Sequence, residues 1–274
     1  MLTWKWIPVL VVGCSEGSGS RTATDAPADA PAVDTAFDSP TEESPLPPGC
    51  EPVTVERALQ EVTGEGVGPY LIRHPVHASN ATTTVLFLPG GDGSQWIANE
   101  VWDRWLRDGD SNLDFRVIVP FATGGESLYS DPDALALRLI GLLDHMHACY
   151  GGAARVHLGG TSNGGIMAFA MVLAYPDRFI TLLGAPGDFT DVSDTELVAG
   201  LSDKAVFLGV GELDLPEWTE AVTATHERMV RLGLNVVMRR FVGEAHVLSY
   251  EFDENQLFDF WRFHSGLAAG GAGS

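Results

Sequence analysis

The chain has 274 residues, of which 45% are hydrophobic, enough to bury the core of one ordinary domain and to leave additional segments. Its formal net charge of −21 excludes nucleic acids and anionic lipid surfaces as expected partners, because both are bound by positively charged protein surfaces. We therefore expect a protein with an acidic surface.

Residues 1–14, MLTWKWIPVLVVGC, have the features of an export signal. Lys5 is followed by a short apolar run, Ile7–Val12, which is far too short to cross a bilayer as a helix. The last four residues, Val-Val-Gly-Cys, resemble the lipobox of bacterial lipoproteins, whose cysteine is lipidated and becomes the mature N-terminus. We expect a lipoprotein-type signal peptide with lipidation at Cys14, and an ordinary signal peptide is the alternative.

Residues 15–49 separate this signal from the folded domain. The part from Ala23 to Gly49 is rich in Ala and Pro and carries six acidic residues and no basic one. Such a composition cannot bury a core, so we expect an acidic, disordered linker. We place the domain at residues 50–265 and a flexible Gly/Ala-rich tail at 266–274. This organisation predicts an exported protein, either a cell-envelope lipoprotein with its lipid as the only membrane contact or a secreted protein.

Strands and helices alternate through the rest of the chain. The apolar and β-branched runs predict eight strands, over Val53–Leu59, Pro69–His74, Thr82–Leu88, Phe115–Pro120, Arg155–Gly160, Phe179–Gly184, Ala205–Gly209 and Asn235–Phe241. Apolar residues at helical spacing predict helices over Ala134–Tyr150, Gly165–Ala174, Trp218–Leu232 and Glu254–His264. This alternation indicates an α/β fold with a mainly parallel sheet and helices on both faces. The connection 186–204 is short and predicts a minimal lid or none.

The turn Gly160-Thr161-Ser162-Asn163-Gly164 lies between a predicted strand and a predicted helix. This Gly-x-Ser-x-Gly context is typical of a nucleophile elbow, in which glycines avoid clashes on either side of an exposed serine. The alternative is a glycine-rich turn that binds phosphate, but the Lys-Ser/Thr of a Walker motif is missing. A second match at residues 13–17 has no strand before it and no helix after it.

A serine nucleophile needs a base, and the base needs an acid to orient it. His246 is the candidate base among eight histidines, because it lies in a loop just after a strand at the carboxyl end of the predicted sheet. Asp214 is the first candidate for the acid, Glu212 is its close rival, and Asp188 and Asp191 are distant ones. Serine, acid and histidine then follow the chain order of hydrolases with this elbow.

The oxyanion of such a reaction requires backbone N–H donors. The amide of Asn163, at the start of the helix after Ser162, is one candidate. The second is expected in the loop Pro89-Gly90-Gly91-Asp92-Gly93, which follows the strand Thr82–Leu88. Gly91 is the first choice for this donor and Asp92 the second.

These motifs together resemble the α/β-hydrolases, and within them the secreted polyhydroxybutyrate depolymerase-like and feruloyl or acetylxylan esterase-like proteins. The resemblance covers about residues 80–250 and is best from Cys149 to Ala168, with Gly211-x-x-Asp214 matching the acid loop. It implies the triad roles for Ser162, Asp214 and His246. Two positions depart from the family pattern, since Pro89-Gly90 replaces His-Gly and Val247-Leu248 replaces an early aromatic after the histidine.

Three cysteines are an odd number for an exported protein. If Cys14 carries lipid, Cys50 and Cys149 remain, and we expect them to form a disulfide. The sequence thus predicts a serine esterase that uses no metal and no cofactor and acts on a small or polymeric ester. A peptidase or thioesterase on the same fold and a non-catalytic surface lipoprotein are the alternatives.

Overall fold

The computed structural model describes residue 50 and residues 60–64, 66–75, 82–106, 115–188 and 192–265. The expected signal peptide, linker and tail, and the predicted strand Val53–Leu59, lie outside these residues. Within the described ranges, no helix is both long enough and apolar enough to cross a membrane.

One eight-stranded sheet forms the centre of the protein, in the order β1-β2-β4-β3-β5-β6-β7-β8. Strands β1 and β2 are antiparallel to their neighbours, and β4, β3 and β5 to β8 are parallel. Their bounds are β1 Gln60–Gly64, β2 Gly68–Arg73, β3 Thr83–Leu88, β4 Phe115–Pro120, β5 Val156–Gly160, β6 Phe179–Gly184, β7 Ala205–Gly211 and β8 Asn235–Phe241. The mainly parallel sheet is therefore confirmed.

Helices cover both faces of the sheet. Their bounds are α1 Gln95–Val101, α2 Pro132–Tyr150, α3 Asn163–Ala174, α4 Asp194–Leu201, α5 Pro216–Arg231 and α6 Asn255–Ser265. The alternation along β3 shows how the faces divide: Leu86 belongs to the apolar cluster of α2 to α5, whereas Phe87 belongs to that of α1 and α6. Because side chains of a strand alternate between faces, a strand that is apolar throughout can serve both clusters.

Strand β1 and two helical segments were not expected from the sequence. Helix α1 continues into a π-helical turn, Trp102–Leu106, and both follow the loop after β3. Helix α4 has eight residues and lies in the short connection between β6 and β7. Such short helices contain too few apolar positions for a clear period, but a capping box between Ser193 and Glu196 marks the start of α4. Of this connection, the described residues form α4 and its flanking turns, in keeping with a minimal lid.

A disulfide joins Cys50 to Cys149, 99 residues later in the chain. Cys149 lies in the last turn of α2, before the strand β5 begins. The bond therefore attaches the start of the domain to the amino-terminal side of the parallel strands, the side opposite to the turn that contains Ser162.

Candidate active site

Ser162 lies in a sharp turn between β5 and α3. Strand β5 ends at Gly160, helix α3 begins at Asn163, and the backbone of Ser162 has φ 54° and ψ −122°. Among the described residues, Ser162 is the only residue other than glycine with a positive φ. A residue other than glycine adopts a positive φ rarely, and such strain is concentrated at functional sites.

Close backbone contacts explain the glycines of this turn. A Cβ atom on Gly160 would lie 2.3 Å from the carbonyl oxygen of Gly164. A Cβ atom on Gly164 would lie 2.2 Å from the carbonyl oxygen of Leu88, at the end of β3. Gly165 is equally restricted, since its Cβ would lie 2.2 Å from the carbonyl oxygen of Pro186. The chain can therefore form this turn only with glycine at these positions.

His246 connects Ser162 to Asp214. Its Nε2 atom lies 3.1 Å from Oγ of Ser162, and its Nδ1 atom lies 2.8 Å from Oδ1 of Asp214. The Asp214 side chain is fully buried, and the His246 side chain is 19% exposed. Oδ1 of Asp214 also accepts a hydrogen bond from the amide of Leu215, which fixes the carboxylate. The structure thus brings together the three side chains that the sequence analysis selected as nucleophile, base and acid.

The loops after β7 and β8 approach each other closely enough for the Asp214–His246 contact. A Cβ atom on Gly211 would lie 2.4 Å from the carbonyl oxygens of Glu244 and Ala245, so glycine is required there. The amide of Leu213 donates a 2.8 Å hydrogen bond to the carbonyl of Glu244. These backbone contacts place Asp214 opposite the ring of His246.

The rival carboxylates lie elsewhere. Oε2 of Glu212 accepts a hydrogen bond from the amide of Gly243 at 3.0 Å and does not bond His246. Asp188, after β6, is only 6% exposed and makes no hydrogen bond to His246; burial raises its pKa to about 6. Asp191 lies outside the described residues. The geometry therefore favours Asp214 over the described rivals.

Three of the other described histidines make different contacts. His157 in β5 lies 2.8 Å from Oγ1 of Thr181 and 2.6 Å from Oγ of Ser265, and burial lowers its pKa to about 3. His74 is also buried, and its pKa is lowered to about 3 by desolvation and then by the charge of Arg116. His145 contacts the sulfur of Cys149.

The loop after β3 faces the start of α3, as expected for an oxyanion hole. Gly91 has φ 56°, and the amide of Gly93 closes a turn on the carbonyl of Gly90 at 3.0 Å. Within the described part of the chain, no backbone hydrogen bond of the loop involves the amides of Gly91 or Asp92 as donors. The Asn163 amide is at the first position of α3, where helical N–H groups have no partner within the helix. Backbone amides that donate no such hydrogen bond thus lie in both segments that contain the expected oxyanion donors.

Two side chains that the sequence analysis did not assign this role hold the oxyanion loop in place. Nδ2 of Asn163 donates a 2.8 Å hydrogen bond to the carbonyl of Gly91. The Tyr129 hydroxyl donates to the carbonyl of Pro89, and burial raises the pKa of Tyr129 well above its usual value, so the hydroxyl keeps its proton. No local pattern marks Tyr129, whereas Asn163 could be inferred from its place in the elbow.

The loop that carries His246 is held by a cluster of polar side chains. Nη1 of Arg104 donates to the carbonyl of Leu248 at 3.3 Å, and Nη2 of Arg104 donates to Glu100 at 2.8 Å. The Arg104 guanidinium lies 3.9 Å from the ring centroid of Tyr250, whose hydroxyl donates to Glu100 at 3.1 Å. Arg104 belongs to the π-helical turn, so the segment after the oxyanion loop is tied to the histidine loop.

Exposed apolar side chains lie next to the site residues in the chain. Trp96, in the first turn of α1, is 63% exposed. Leu213 and Leu215, on either side of Asp214, are 67% and 53% exposed, and Val247, after His246, is 58% exposed. The chain therefore presents exposed apolar groups in the loops after β7 and β8 and at the start of α1.

The sheet order and the Ser162 turn define the α/β-hydrolase fold, and comparison with solved structures agrees. A predicted CIB-like hydrolase from Thermoplasma acidophilum is similar over 75% of this chain and 99% of its own, with 20% identity and a TM-score of 0.56. A feruloyl esterase module from Clostridium thermocellum, complexed with sinapinate, is similar over 88% of this chain and 100% of its own, with 14% identity and a TM-score of 0.57.

A third similar structure is acyl-protein thioesterase 2 from Zea mays, with 16% identity, a TM-score of 0.53, and coverage of 72% of this chain and 99% of its own. No protein-family model matches the chain. No curated protein matches it either. The similarity is thus one of fold, and the chain is an α/β-hydrolase-fold protein.

Proposed function

We propose that this protein is a serine esterase that cleaves carboxylic esters through an acyl-enzyme on Ser162. The observation that carries the proposal is the continuous contact from Asp214 through His246 to Ser162, at 2.8 Å and 3.1 Å, with Ser162 in the strained turn at the start of α3. The esterases among proteins of similar fold support this reaction class.

The reaction begins when Oγ of Ser162 attacks the ester carbonyl and Nε2 of His246 takes the serine proton. Asp214 accepts the Nδ1–H hydrogen bond, which holds the ring in the correct tautomer and stabilises its charged form. The negative oxygen of the tetrahedral intermediate is bound by the amides of Asn163 and Gly91. His246 then returns its proton to the alcohol, which leaves. A water molecule, activated by the same histidine, attacks the acyl group and regenerates Ser162.

The substrate we propose is an uncharged or weakly charged ester. Leu213 and Val247 adjoin Asp214 and His246 in the chain, Trp96 follows the loop after β3, and all three are exposed, which suits an apolar acyl or alcohol group. The net charge of −21 opposes polyanionic substrates. We also propose that the protein is exported, because the motif ending at Cys14 and the Cys50–Cys149 disulfide suit an oxidising compartment.

A thioesterase is the second candidate, because the similar maize structure is an acyl-protein thioesterase. The same serine, base and oxyanion donors serve both reactions. Hydrolysis of matched oxygen and sulfur esters of butyrate separates them: the esterase is expected to give a similar or higher kcat/KM with the oxygen ester, whereas a strong preference for the sulfur ester favours the thioesterase.

The proposed function is tested by hydrolysis of p-nitrophenyl acetate and butyrate and by labelling with a fluorophosphonate probe, both with the full chain. Ser162→Ala is expected to abolish labelling and to reduce kcat by about 10⁶-fold, to the level left by binding and the oxyanion hole. Ser130→Ala is the matched control, because Ser130 is exposed and lies outside the site. A folded wild-type protein that neither hydrolyses these esters nor takes up the probe would indicate the non-catalytic alternative.

A further inference from the structure

Trp218 contacts the ring of His246, although nothing in the proposed mechanism requires it. The two ring centroids lie 5.2 Å apart with an interplanar angle of 41°. Trp218 is 2% exposed, so its indole is buried against the histidine. The residues directly after His246 are Val247 and Leu248, so the aromatic group comes from a different element.

Trp218 and Asp214 reach His246 from one short segment. The carboxylate of Asp214 accepts the amide of Leu215 at 2.7 Å, and the carbonyl of Leu215 accepts the amide of Trp218 at 3.0 Å. Pro216 occupies the first turn of α5, where its fixed φ suits the start of a helix. The segment is therefore ordered as a unit, with the carboxylate at the Nδ1 edge of the imidazole and the indole beside the ring.

We propose that Trp218 is a positioning residue that holds the His246 ring between Asp214 and Ser162 and stabilises the ring when it becomes protonated. This inference rests on the proposed function, in which His246 is the base. A cation that lies over the face of an indole, within about 6 Å of its centroid, is attracted by the ring, and the attraction is stronger when solvent is excluded. Since His246 is cationic only after it takes the proton of Ser162, the contact stabilises the transition state more than the ground state.

Among the described residues, the hydrogen-bond contacts of this ring are with two side chains. Asp214 lies at its Nδ1 edge, and Ser162 supplies the neutral hydroxyl at Nε2. The carboxylates of Glu212 and Glu244, in the two adjacent loops, bond the amides of Gly243 and Ser249 instead. Among the described residues, Trp218 is thus the aromatic residue that contacts the imidazole of His246.

The test uses Trp218→Leu, which removes the aromatic ring, and Trp218→Phe, which keeps a weaker one. Proton NMR of the full chain follows the ring protons of His246 against pH, with the signal assigned by its loss in His246→Gln. Trp218→Leu is expected to lower the midpoint of the His246 titration by about 0.4–1 pH unit, and Trp218→Phe by less. His226, on the same helix α5, is the internal control, and its titration is expected to stay in place.

The kinetic part measures p-nitrophenyl butyrate hydrolysis by the same variants. Trp218→Leu is expected to lower kcat by about 3- to 10-fold with KM nearly unchanged, and Trp218→Phe to recover part of the loss. The inference is overturned if the His246 midpoint does not move in a folded Trp218→Leu protein. It is also overturned if both variants lose kcat equally, because loss of packing alone then explains the effect. The NMR result needs no activity, so an inactive wild type would contradict the proposed function without deciding this contact.

Discussion

At the scale of single residues, the Ser162 turn depends on backbone atoms that side chains cannot approach. The glycines at 160, 164 and 165 each face a carbonyl oxygen within 2.3 Å of where a Cβ atom would stand. These carbonyls belong to Gly164 in α3, to Leu88 at the end of β3 and to Pro186 after β6. The carbonyls of Leu88 and Pro186 accept the amides of Thr161 and Ser162, so they cannot move away without breaking hydrogen bonds of the turn itself. The Gly-x-Ser-x-Gly pattern is therefore a requirement of packing as well as of chemistry.

We expect Gly164→Ala to lower the free energy of unfolding by about 3 kcal/mol, because its methyl group would overlap the carbonyl of Leu88. Gly141→Ala is the matched control. Gly141 lies within α2, and beyond the backbone of its own helix nothing lies within 4 Å of where its Cβ would stand, so alanine is expected to stabilise the protein by about 0.5–1 kcal/mol. Urea unfolding of both variants measures the two changes, and equal effects would contradict the packing argument.

The buried carboxyl group of Asp188 predicts that the free energy of unfolding depends on pH. Burial raises its pKa to about 6 from the ordinary 3.8, so the folded protein binds this proton more tightly than the unfolded chain does. Protonation of Asp188 therefore stabilises the folded state. This contribution is complete below pH 3.8 and is lost as the pH rises through about 6. Asp188→Asn is expected to raise the free energy of unfolding by about 2–3 kcal/mol at pH 8 and to change it little at pH 4.

Chemical denaturation at these two pH values tests this expectation. The exposed Asp103 offers the matched control, because Asp103→Asn removes a charge of the same kind without a buried carboxyl group. A gain in stability of equal size from both variants would point to the reduced net charge of the protein as the cause.

At the scale of elements, the site is assembled by contacts between segments that are far apart in the sequence. The loop after β7 meets the loop after β8 through Gly211 and Leu213. The π-helical turn, Trp102–Leu106, reaches the segment after His246 through Arg104. Each catalytic side chain that we propose is thus held by contacts to at least one other element.

The Arg104 cluster gives a prediction about catalysis. Arg104→Leu removes the hydrogen bond to the carbonyl of Leu248 and the contact with the Tyr250 ring. We expect kcat for p-nitrophenyl butyrate to fall by about 10-fold with a small change in KM, because the loop that orients His246 becomes less ordered.

Tyr250→Phe is the milder comparison, since it keeps the ring beside Arg104 and removes the contacts of the hydroxyl with Glu100 and Arg104. Its kcat is expected to stay within about twofold of the wild type. If Arg104→Leu retained the wild-type kcat in a folded protein, the cluster would have no part in orienting the histidine.

At the scale of the whole molecule, the disulfide and the site lie at opposite ends of the parallel strands. Cys149 precedes β5, whereas Ser162 follows it. The bond closes a long stretch of chain, because its two cysteines are 99 residues apart in sequence. In the chain-entropy account, a loop of this length contributes about 3–5 kcal/mol by restricting the unfolded state.

We therefore expect the double variant Cys50→Ser, Cys149→Ser to unfold at a lower urea concentration and to keep kcat within about twofold of the wild type at 25 °C, where it remains folded. Denaturation and ester hydrolysis are measured on the same preparation. The reference is the unreduced wild type, in which mass spectrometry is expected to find no free thiol at Cys50 or Cys149. A large loss of kcat in the folded double variant would show that the disulfide also shapes the site.

Local patterns were sufficient for much of the fold and for the choice of site residues. The apolar runs predicted β4 and β6 at their observed bounds, because a strand buried on both faces is mostly apolar. Arg116 in β4 and Thr181 in β6 are the buried polar exceptions. The elbow was visible because its glycines are demanded by close contacts around Ser162. The short helices α1 and α4 were missed because too few residues carry their period.

Only the tertiary structure decided which groups meet at the site. Asp214 and Glu212 are two residues apart in one loop, and only the approach of the β8 loop places Asp214 at His246 and Glu212 at Gly243. The contacts of Tyr129 and Trp218 join residues 40 and 28 positions apart, and no local pattern encodes them. The sequence by itself predicted seven of the eight strands, the turn and the candidate site residues, because short-range sterics and burial act on neighbouring residues; strand β1, Gln60–Gly64, was not predicted. The partners of those side chains depend on which loops the sheet brings to one edge.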